Sequence, residues 1–510
     1  MSQPIIPAAS TASTASTAST ASTASAARAG GAKVAGSSAP APARLDGLAE
    51  AFVHFAEYTN VNTNQIFVVQ GALDAGALAR AIARAVAETD LLRTCPDPGA
   101  GHLAPAAAPL QLLWERQFGA ECDFANPALR ALLMDFSNCM RLDWRRRAPI
   151  QVLLVTGAHG ATSCVYVSTH HGVADARSDC LLLQAIMRHY ANEMGQPPMP
   201  AAPLPFASLQ AIRPDWYRAP AKLRRWLGAA LCIGRDMLSF DRGLAVPYRG
   251  SRWESKNADP QLAELDFFTS VLLPALELRL KQAARKAGVT INTVLFGALV
   301  RTLEHSHGAG QAAGETLRVT CAVSLRRLID PAYDTSFRNY LVATNIRARA
   351  GMATRSLLAH LQGAVQQARS EAALQTELGR IELVLPLLRR RPLAGLALSL
   401  VSRVQGTNAC FSNPGVIAED FSQFGLPAHK TLQYVGFGCL IAPYDFILYT
   451  PTVNGRMQLD VVFRRRCFPN IDTGFVDVFH RALAAILDEL LGPEPAAAAP
   501  SIPTFDLELS

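Results

Sequence analysis

Apolar residues along this chain recur with two different periods. In NQIFVVQGALDAGALARAIARAVAETDLLRT, four consecutive apolar residues at 66–69 precede a turn at Gly71, and beyond it Leu78, Ile82 and Val86 fall at helical spacing. The pattern predicts a strand, a turn and an amphipathic helix N-capped by Asp74. The runs IQVLLV (150–155) and CVYVSTH (164–170) are rich in β-branched residues and predict two further strands, joined by the loop residues TGAHGATS. The stretch DCLLLQAIMRHYANEM then reads as a helix. Residues 170–175 therefore occupy a strand-to-helix loop, where a scaffold tends to present reactive groups.

The second half restarts with a short apolar run at 271–273, a helix over 276–287 and a second helix within GVTINTVLFGALVRTLEH, capped by Thr290 or Asn292. Strands are expected at LRVTCAVSL, LVATNI, ACFSN and MQLDVVF, and a last helix over 476–491. Strands and helices come in a similar order in both halves. The pattern predicts an α/β fold of two comparable lobes with a cleft between them. At 510 residues the chain exceeds what one core normally organises.

Composition divides the chain further. Residues 1–44 are rich in Ala, Ser, Thr, Gly and Pro, with Ala-Ser-Thr triplets, and cannot bury enough apolar surface to offset the entropy of ordering; they read as a disordered leader. The expected organisation is an N-terminal lobe at 45–235, a linker at 236–262, a C-terminal lobe at 263–492 and a flexible tail at 493–510. Crossings between lobes are expected in the Pro/Ala-rich 197–214 and the polar 250–260. The leader lacks the charged and apolar regions of a secretory signal. No run reaches the length of a membrane-spanning helix: the best candidate, after Pro392, is interrupted and follows Arg389, Arg390 and Arg391. The ten cysteines show no CxxC pair and no Cys/His ligand spacing, which points to reduced thiols in a cytoplasmic protein and away from a metal. The net charge of +7 comes largely from arginine clusters such as Arg145, Arg146 and Arg147, without the interleaved aromatics of a nucleic-acid surface. Such clusters form solvated faces or dock an acidic partner.

The candidate chemistry lies in THHGVADARS. His170 and His171 are followed by Asp175, and an imidazole titrating near neutrality can accept a proton from an amine, hydroxyl or thiol. There is no GxSxG, HExxH or GxGxxG, and GLPAHKT lacks the glycine that a phosphate-binding loop has before its lysine.

Several segments, in order, resemble the CoA-dependent acyltransferase superfamily, closest to the condensation domains of nonribosomal peptide synthetases and related stand-alone enzymes. These are Gly71, Leu73, Asp74, Leu78 and Ala81; LLRT at 91–94; Pro149 and the strands after it; HHGVAD; GVTIN at 288–292; VSLR ending at Arg326; Asn339 and Tyr340; and SNPG at 412–415. The resemblance implies two pseudo-symmetric chloramphenicol-acetyltransferase-like lobes with a substrate tunnel between them. His171 would be the catalytic residue, with His170, Asp175, Arg326 and Ser178 supporting it. Asp175 would pair with Arg326 rather than touch substrate. Gly172, Asn339, Ser412, Asn413 and Gly415 are the candidate tunnel residues, although SNPG also reads as a plain turn. Ala176 departs from the family glycine after the aspartate, which implies an altered tunnel wall. Asp445 and Phe446 are followed by Ile447 and Leu448, so the plant-type DFGWG motif is absent.

The activity this implies is a free-standing, monomeric acyltransferase joining a thioester-borne acyl group to an amine or hydroxyl in natural-product biosynthesis. The donor would be held on the phosphopantetheine of a carrier protein, the expected partner, or on CoA; no bound cofactor is expected. One alternative is an acyl-CoA-dependent wax ester or lipid acyltransferase, for which KLRRWLGAAL (222–231) and residues 389–401 would face a membrane surface or else be ordinary amphipathic helices. The other is a non-catalytic recruitment module. The tail PSIPTFDLELS is a docking motif or an unstructured end.

Overall fold

The β-strands that the apolar pattern predicts pair into two mixed sheets, one in each lobe of an α/β fold. The computed structural model describes residues 45–96, 102–105, 111–139, 142–200, 202–238, 265–306, 315–441, 444–465, 468 and 470–493. The expected leader, residues 239–262 of the expected linker and the tail from 494 lie outside the described residues.

The first half runs α1 (Gly47–Phe55), β1 (Asn62–Gln70), α2 (Ala75–Ala87), β2 (Thr94–Pro96), β3 (Leu103–Pro105), β4 (Leu113–Gln117), α3 (Pro127–Cys139), β5 (Ile150–Thr156), β6 (Thr162–His170), α4 (Ala176–Glu193), α5 (Leu209–Ile212) and α6 (Ala219–Leu238). The second runs β7 (Leu265–Val271), α7 (Pro274–Ala287), α8 (Ile291–Ser306), β8 (Thr316–Ser324), β9 (Leu341–Arg349), α9 (Thr354–Ala368), α10 (Glu371–Leu388), α11 (Arg391–Gln405) and β10 (Ala409–Ser412). It ends with β11 (Thr431–Phe437), β12 (Phe446–Tyr449), β13 (Thr452–Val453), β14 (Arg456–Arg464) and α12 (Asp477–Leu491).

The first sheet has the order β11-β1-β6-β5-β4. The second has the order β13-β14-β12-β10-β8-β9, with β7 also on β14. Strand β11 is the departure from the sequence expectation. It belongs by position to the second half but pairs antiparallel with β1, Asn64 opposite Phe437. The first sheet is therefore completed by a segment more than 360 residues downstream, and the boundary drawn at 236–262 does not separate the sheets. A second departure is the restart of the second half: the strand is Leu265–Val271, and the apolar 271–273 is its end, where Leu272 donates to the Met457 carbonyl.

Both faces of β5 and β6 and of the second half of β1 are buried, which is why these segments read as nearly continuous apolar runs. Phe67 and Val69 of β1 pack with α2 and α4, while Ile66 and Val68 join a core shared with Phe267, Cys410 and Val462 of the second sheet. That shared core ties the lobes together. The second lobe's own core collects α8, α9 and α12 around Phe411, Leu448 and Val461. Asp74 caps α2 as expected, accepting from Ala77 N at 2.6 Å. Of the two candidate caps of α8, Thr290 accepts from Thr293 N at 3.2 Å.

Candidate active site

Strand β6 lies between β1 and β5 and carries the histidine pair to the end of its ladder. The last ties are backbone bonds from His170 N to Pro149 O and from His171 N to Val61 O, each 2.9 Å. Val173 N then turns back to His170 O at 2.9 Å. Asp175, in extended conformation, starts α4 by accepting Ser178 N at 2.9 Å. The loop is thus pinned at both ends by ordinary strand and helix chemistry.

The two histidines hold opposite tautomers. Nδ1 of His171 lies 2.7 Å from the carbonyl oxygen of Ala174. A carbonyl only accepts, so Nδ1 carries the proton and Nε2 keeps its lone pair. Burial lowers the His171 pKa below the ordinary histidine value, against the smaller raising effects of the Ala174 carbonyl and Asp175. The ring is therefore neutral at neutral pH. It packs against Phe52 of α1 with ring centroids 4.7 Å apart. His170 is fully buried beside Trp144, and its Nδ1 accepts from Gly172 N at 3.0 Å, so its proton sits on Nε2.

Asp175, which with Arg326 lines the same cavity as His171, is held in a closed set of bonds. Arg326, in a short turn following β8, grips it with two parallel bonds, Nε to Oδ2 at 3.2 Å and Nη2 to Oδ1 at 3.0 Å. Tyr340 N donates to Oδ2 at 3.2 Å. The same Arg326 Nη2 reaches Ser178 Oγ at 2.8 Å, and the guanidinium lies 4.4 Å from the Tyr340 ring centroid. Ser178 Oγ in turn donates to Arg338 O at 2.8 Å and accepts from Arg338 N at 3.1 Å. Burial alone would raise the Asp175 carboxyl, but Arg326 and the Ser178 bonds outweigh it and hold it below the ordinary aspartate value. An ionised, fully occupied carboxylate of this kind positions a loop and has no lone pair free for substrate.

His171 lines a cavity of about 670 Å³ whose walls come from both lobes. Ser412, Asn413 and Gly415 line it, and Asn413 Oδ1 also accepts Gly415 N at 2.7 Å, with Gly415 in the left-handed region at φ 83°. The SNPG segment is thus both a turn and a piece of wall. Two expected tunnel residues are not on that wall. Gly172 is enclosed: a Cβ there would meet His170 Nδ1 at 2.9 Å and Ala49 O at 3.2 Å, so the glycine serves close packing behind His170. Asn339 is buried and uses Oδ1 to accept Leu341 N at 2.8 Å, shaping the start of β9. Ala176 lines the cavity as the first residue of α4, an ordinary helical position that makes no demand for glycine.

Sequence reading missed several wall residues. Gln65 accepts the Tyr434 hydroxyl at 2.6 Å, joining β1 to β11 across the cavity wall. Asp179, one turn beyond Asp175, accepts Thr169 Oγ1 at 2.6 Å, and burial pushes its carboxyl up to about 6 against that bond. Its place one helical turn after Asp175 is a signal the sequence carried. Glu377 of α10, 3.5 Å from Arg380, is pushed up by burial to about 7. Nothing local in the sequence links Phe52, Gln65, Tyr434 or Glu377 to the histidine loop. Among the described residues no group of His, Cys, Asp and Glu side chains could hold a metal ion, and the described cysteines are free thiols. No helix among them is long and apolar enough to cross a membrane.

No protein-family model and no curated protein sequence matches the chain. Its fold does match solved structures. The first condensation domain of the CDA synthetase superposes with a TM-score of 0.63 at 17% identity, over 88% of this chain and 96% of that one. The SgcC5 protein from Streptomyces globisporus, solved with (R)-(-)-1-(2-naphthyl)-1,2-ethanediol and sucrose, gives 0.61 at 15% identity, over 89% of this chain and 100% of that one. The starter condensation domain of rhizomide synthetase, in a mutant form solved with C8-CoA and Leu-SNAC, gives 0.60 at 14% identity, over 89% and 95%. The chain has the two-lobed α/β fold of these condensation domains.

Proposed function

We propose that this protein is an acyltransferase of the condensation type, joining an acyl group carried as a thioester to an amine or hydroxyl acceptor in natural-product biosynthesis. The observation that carries the proposal is the setting of His171. Its Nδ1–H is committed to the Ala174 carbonyl, so the lone pair of Nε2 is what the ring offers to a cavity walled by both lobes.

In the proposed reaction the two substrates reach the cavity from different faces, the thioester from one and the acceptor from the other. His171 Nε2 takes the acceptor's proton as its nitrogen or oxygen bonds to the thioester carbonyl carbon. The tetrahedral intermediate collapses with cleavage of the C–S bond, and the imidazolium returns the proton to the departing thiolate. An amide or ester and a free thiol result, with His171 restored. Asp175 and Arg326, bonded to each other in the wall, hold the loop so that the ring keeps its tautomer and direction. The donor is a carrier-bound thioester, with an acyl-CoA as the other form of the same chemistry; the fold shared with the CDA condensation domain and with the starter condensation domain solved with C8-CoA supports this reading.

The test is intact-protein mass spectrometry of an acylated carrier protein incubated with the enzyme and a panel of amines and alcohols, with an acyl-CoA arm in parallel. Unloading that requires both an acceptor and His171 is expected. Product formation unchanged in His171→Ala would remove the histidine from the chemistry, and no unloading of either donor with any acceptor would favour a recruitment module.

A further inference from the structure

Helix α6 is built inside out. A helix at the surface of a soluble protein normally turns its leucines inward and its charges to water. Here Leu223, Leu227 and Leu231, successive residues of one i, i+4, i+8 row, are 58%, 57% and 76% exposed. At 100° per residue Ala230 and Gly234 fall in the same arc, with Trp226 and Met237 along one edge, and all four face outward or lie half-buried. The opposite face carries the charges. Arg225 is fully enclosed, with Nη2 2.8 Å from Glu382 Oε1 and Nη1 2.9 Å from Trp216 O. Asp236 is held by Arg347 at 2.8 Å and by Arg380 at 2.7 Å. That inner face is tightly seated on α10: a Cβ on Gly379 would lie 2.8 Å from the Arg225 carbonyl oxygen and 3.0 Å from Ala229 Cβ. The orientation of α6 is therefore enforced by ion pairs and close packing.

We propose that the outer face of α6 docks on an anionic lipid surface. The exposed arc is aliphatic and bordered by exposed cations, Arg224 and Arg235 on one side and Lys222 on the other. The one acid on the helix, Asp236, is buried and occupied, so the outer face presents apolar and positive groups only. Leucines immersed at the headgroup boundary with lysine and arginine reaching back to phosphates is the arrangement that binds a helix in the interface plane. A second copy of the chain would oppose the same cations to one another. A specific protein partner would be expected to meet polar side chains within the arc, and the arc has none. Ile233, on the flank of the same helix, lines the cavity, so docking through α6 would hold a wall of the cavity against the lipid. The proposal does not depend on the acyl-transfer reading.

The test is flotation of the full-length protein with vesicles of phosphatidylcholine alone and with about one-third phosphatidylglycerol. The protein is expected to float with the anionic vesicles and not the neutral ones, and high salt should release it. Leu227→Glu with Leu231→Glu, and separately Lys222→Glu with Arg224→Glu, should each lower the bound fraction more than tenfold while unfolding at the wild-type temperature. Failure of the wild type to float, equal flotation with neutral vesicles, or wild-type binding by both variants would overturn the proposal. So would a fall in unfolding temperature for Leu231→Glu, or its conversion of a dimer to a monomer by sedimentation, because either places protein over this face. Loss of carrier-protein binding in the leucine variant, with no flotation of the wild type, would reassign the surface to a protein.

Discussion

Replacing Arg326 by alanine should cost about 3–5 kcal/mol of stability, the range for removing one partner of a buried ion pair. The magnitude follows from what remains at Asp175. The carboxylate is 2% exposed and accepts four bonds: from Ser178 N, from Tyr340 N and two from the guanidinium. Alanine deletes both charge-assisted bonds and the one cation that contacts the carboxylate among the described residues, leaving a buried charge on two backbone amides. The sign with pH is also set. In the wild type the folded-state pKa of Asp175 is depressed, so its stabilisation is present above the unfolded aspartate value and lost as pH falls through the folded one. Without Arg326, burial raises the group instead, and stability is then lost as pH rises. The difference between the two proteins should therefore be small near pH 3 and widen towards neutrality. Arg326→Lys keeps the charge but not the planar fork and should fall between them. Denaturant unfolding of both variants across pH, with a double-mutant cycle against Asp175→Asn, measures the effect; a coupling of about 2 kcal/mol is expected. Unfolding of Arg326→Ala within about 0.5 kcal/mol of wild type at neutral pH, with no coupling in the cycle, would refute the clamp.

Other outcomes follow from the same geometry. If His171 is the base, the rate should rise with pH through a limb lying below the ordinary histidine range, because burial lowers its pKa and the neutral ring is the active form; a pH–rate profile with either donor checks this, and a limb above that range would contradict it. Gly172→Ala should destabilise by about 1–3 kcal/mol through contact with His170 and the Ala49 carbonyl, read by denaturant unfolding, and an unchanged midpoint would mean the ring moves freely. Asp460 of β14 accepts Thr269 Oγ1 at 2.6 Å, and burial pushes its carboxyl up to about 8 against that bond. A raised carboxyl supports the fold while protonated and loses that support as pH climbs through its folded value. Asp460→Asn should then be near neutral or slightly destabilising at pH 5 and stabilising at pH 9, by an amount on the order of several kcal/mol; equal effects at both pH values would show that Asp460 titrates normally.

Much of this arrangement was legible in the residues. The apolar runs located β5, β6, β8, β9, β10 and β14 to within a few positions, and period-3.6 spacing located α2, α7, α8 and α12. β1 was seen only in its apolar half. Its first four residues, Asn62 to Gln65, are polar yet buried, because Thr63, Asn64 and Gln65 find partners on neighbouring strands; a hydrophobicity pattern cannot register burial achieved by hydrogen bonding. The reach of β11 to β1 left no local trace for the same kind of reason, since its pairing partner lies in the other half of the chain.

The sequence by itself determined the α/β class, the strand end that carries His170 and His171, and the helix that follows Asp175. These depend on residues within a turn or two of one another, where propensity, periodicity and capping act. Tertiary structure decided which histidine nitrogen keeps its lone pair, that Gly172 and Asn339 stand off the cavity wall, and that α6 turns its leucines outward. The seating of α6 on α10, through Arg225 with Glu382 and Asp236 with Arg380, is a choice among distant partners. Such choices are made by packing and by the cost of burying an unpaired polar group, and neither is a property of any short stretch of chain.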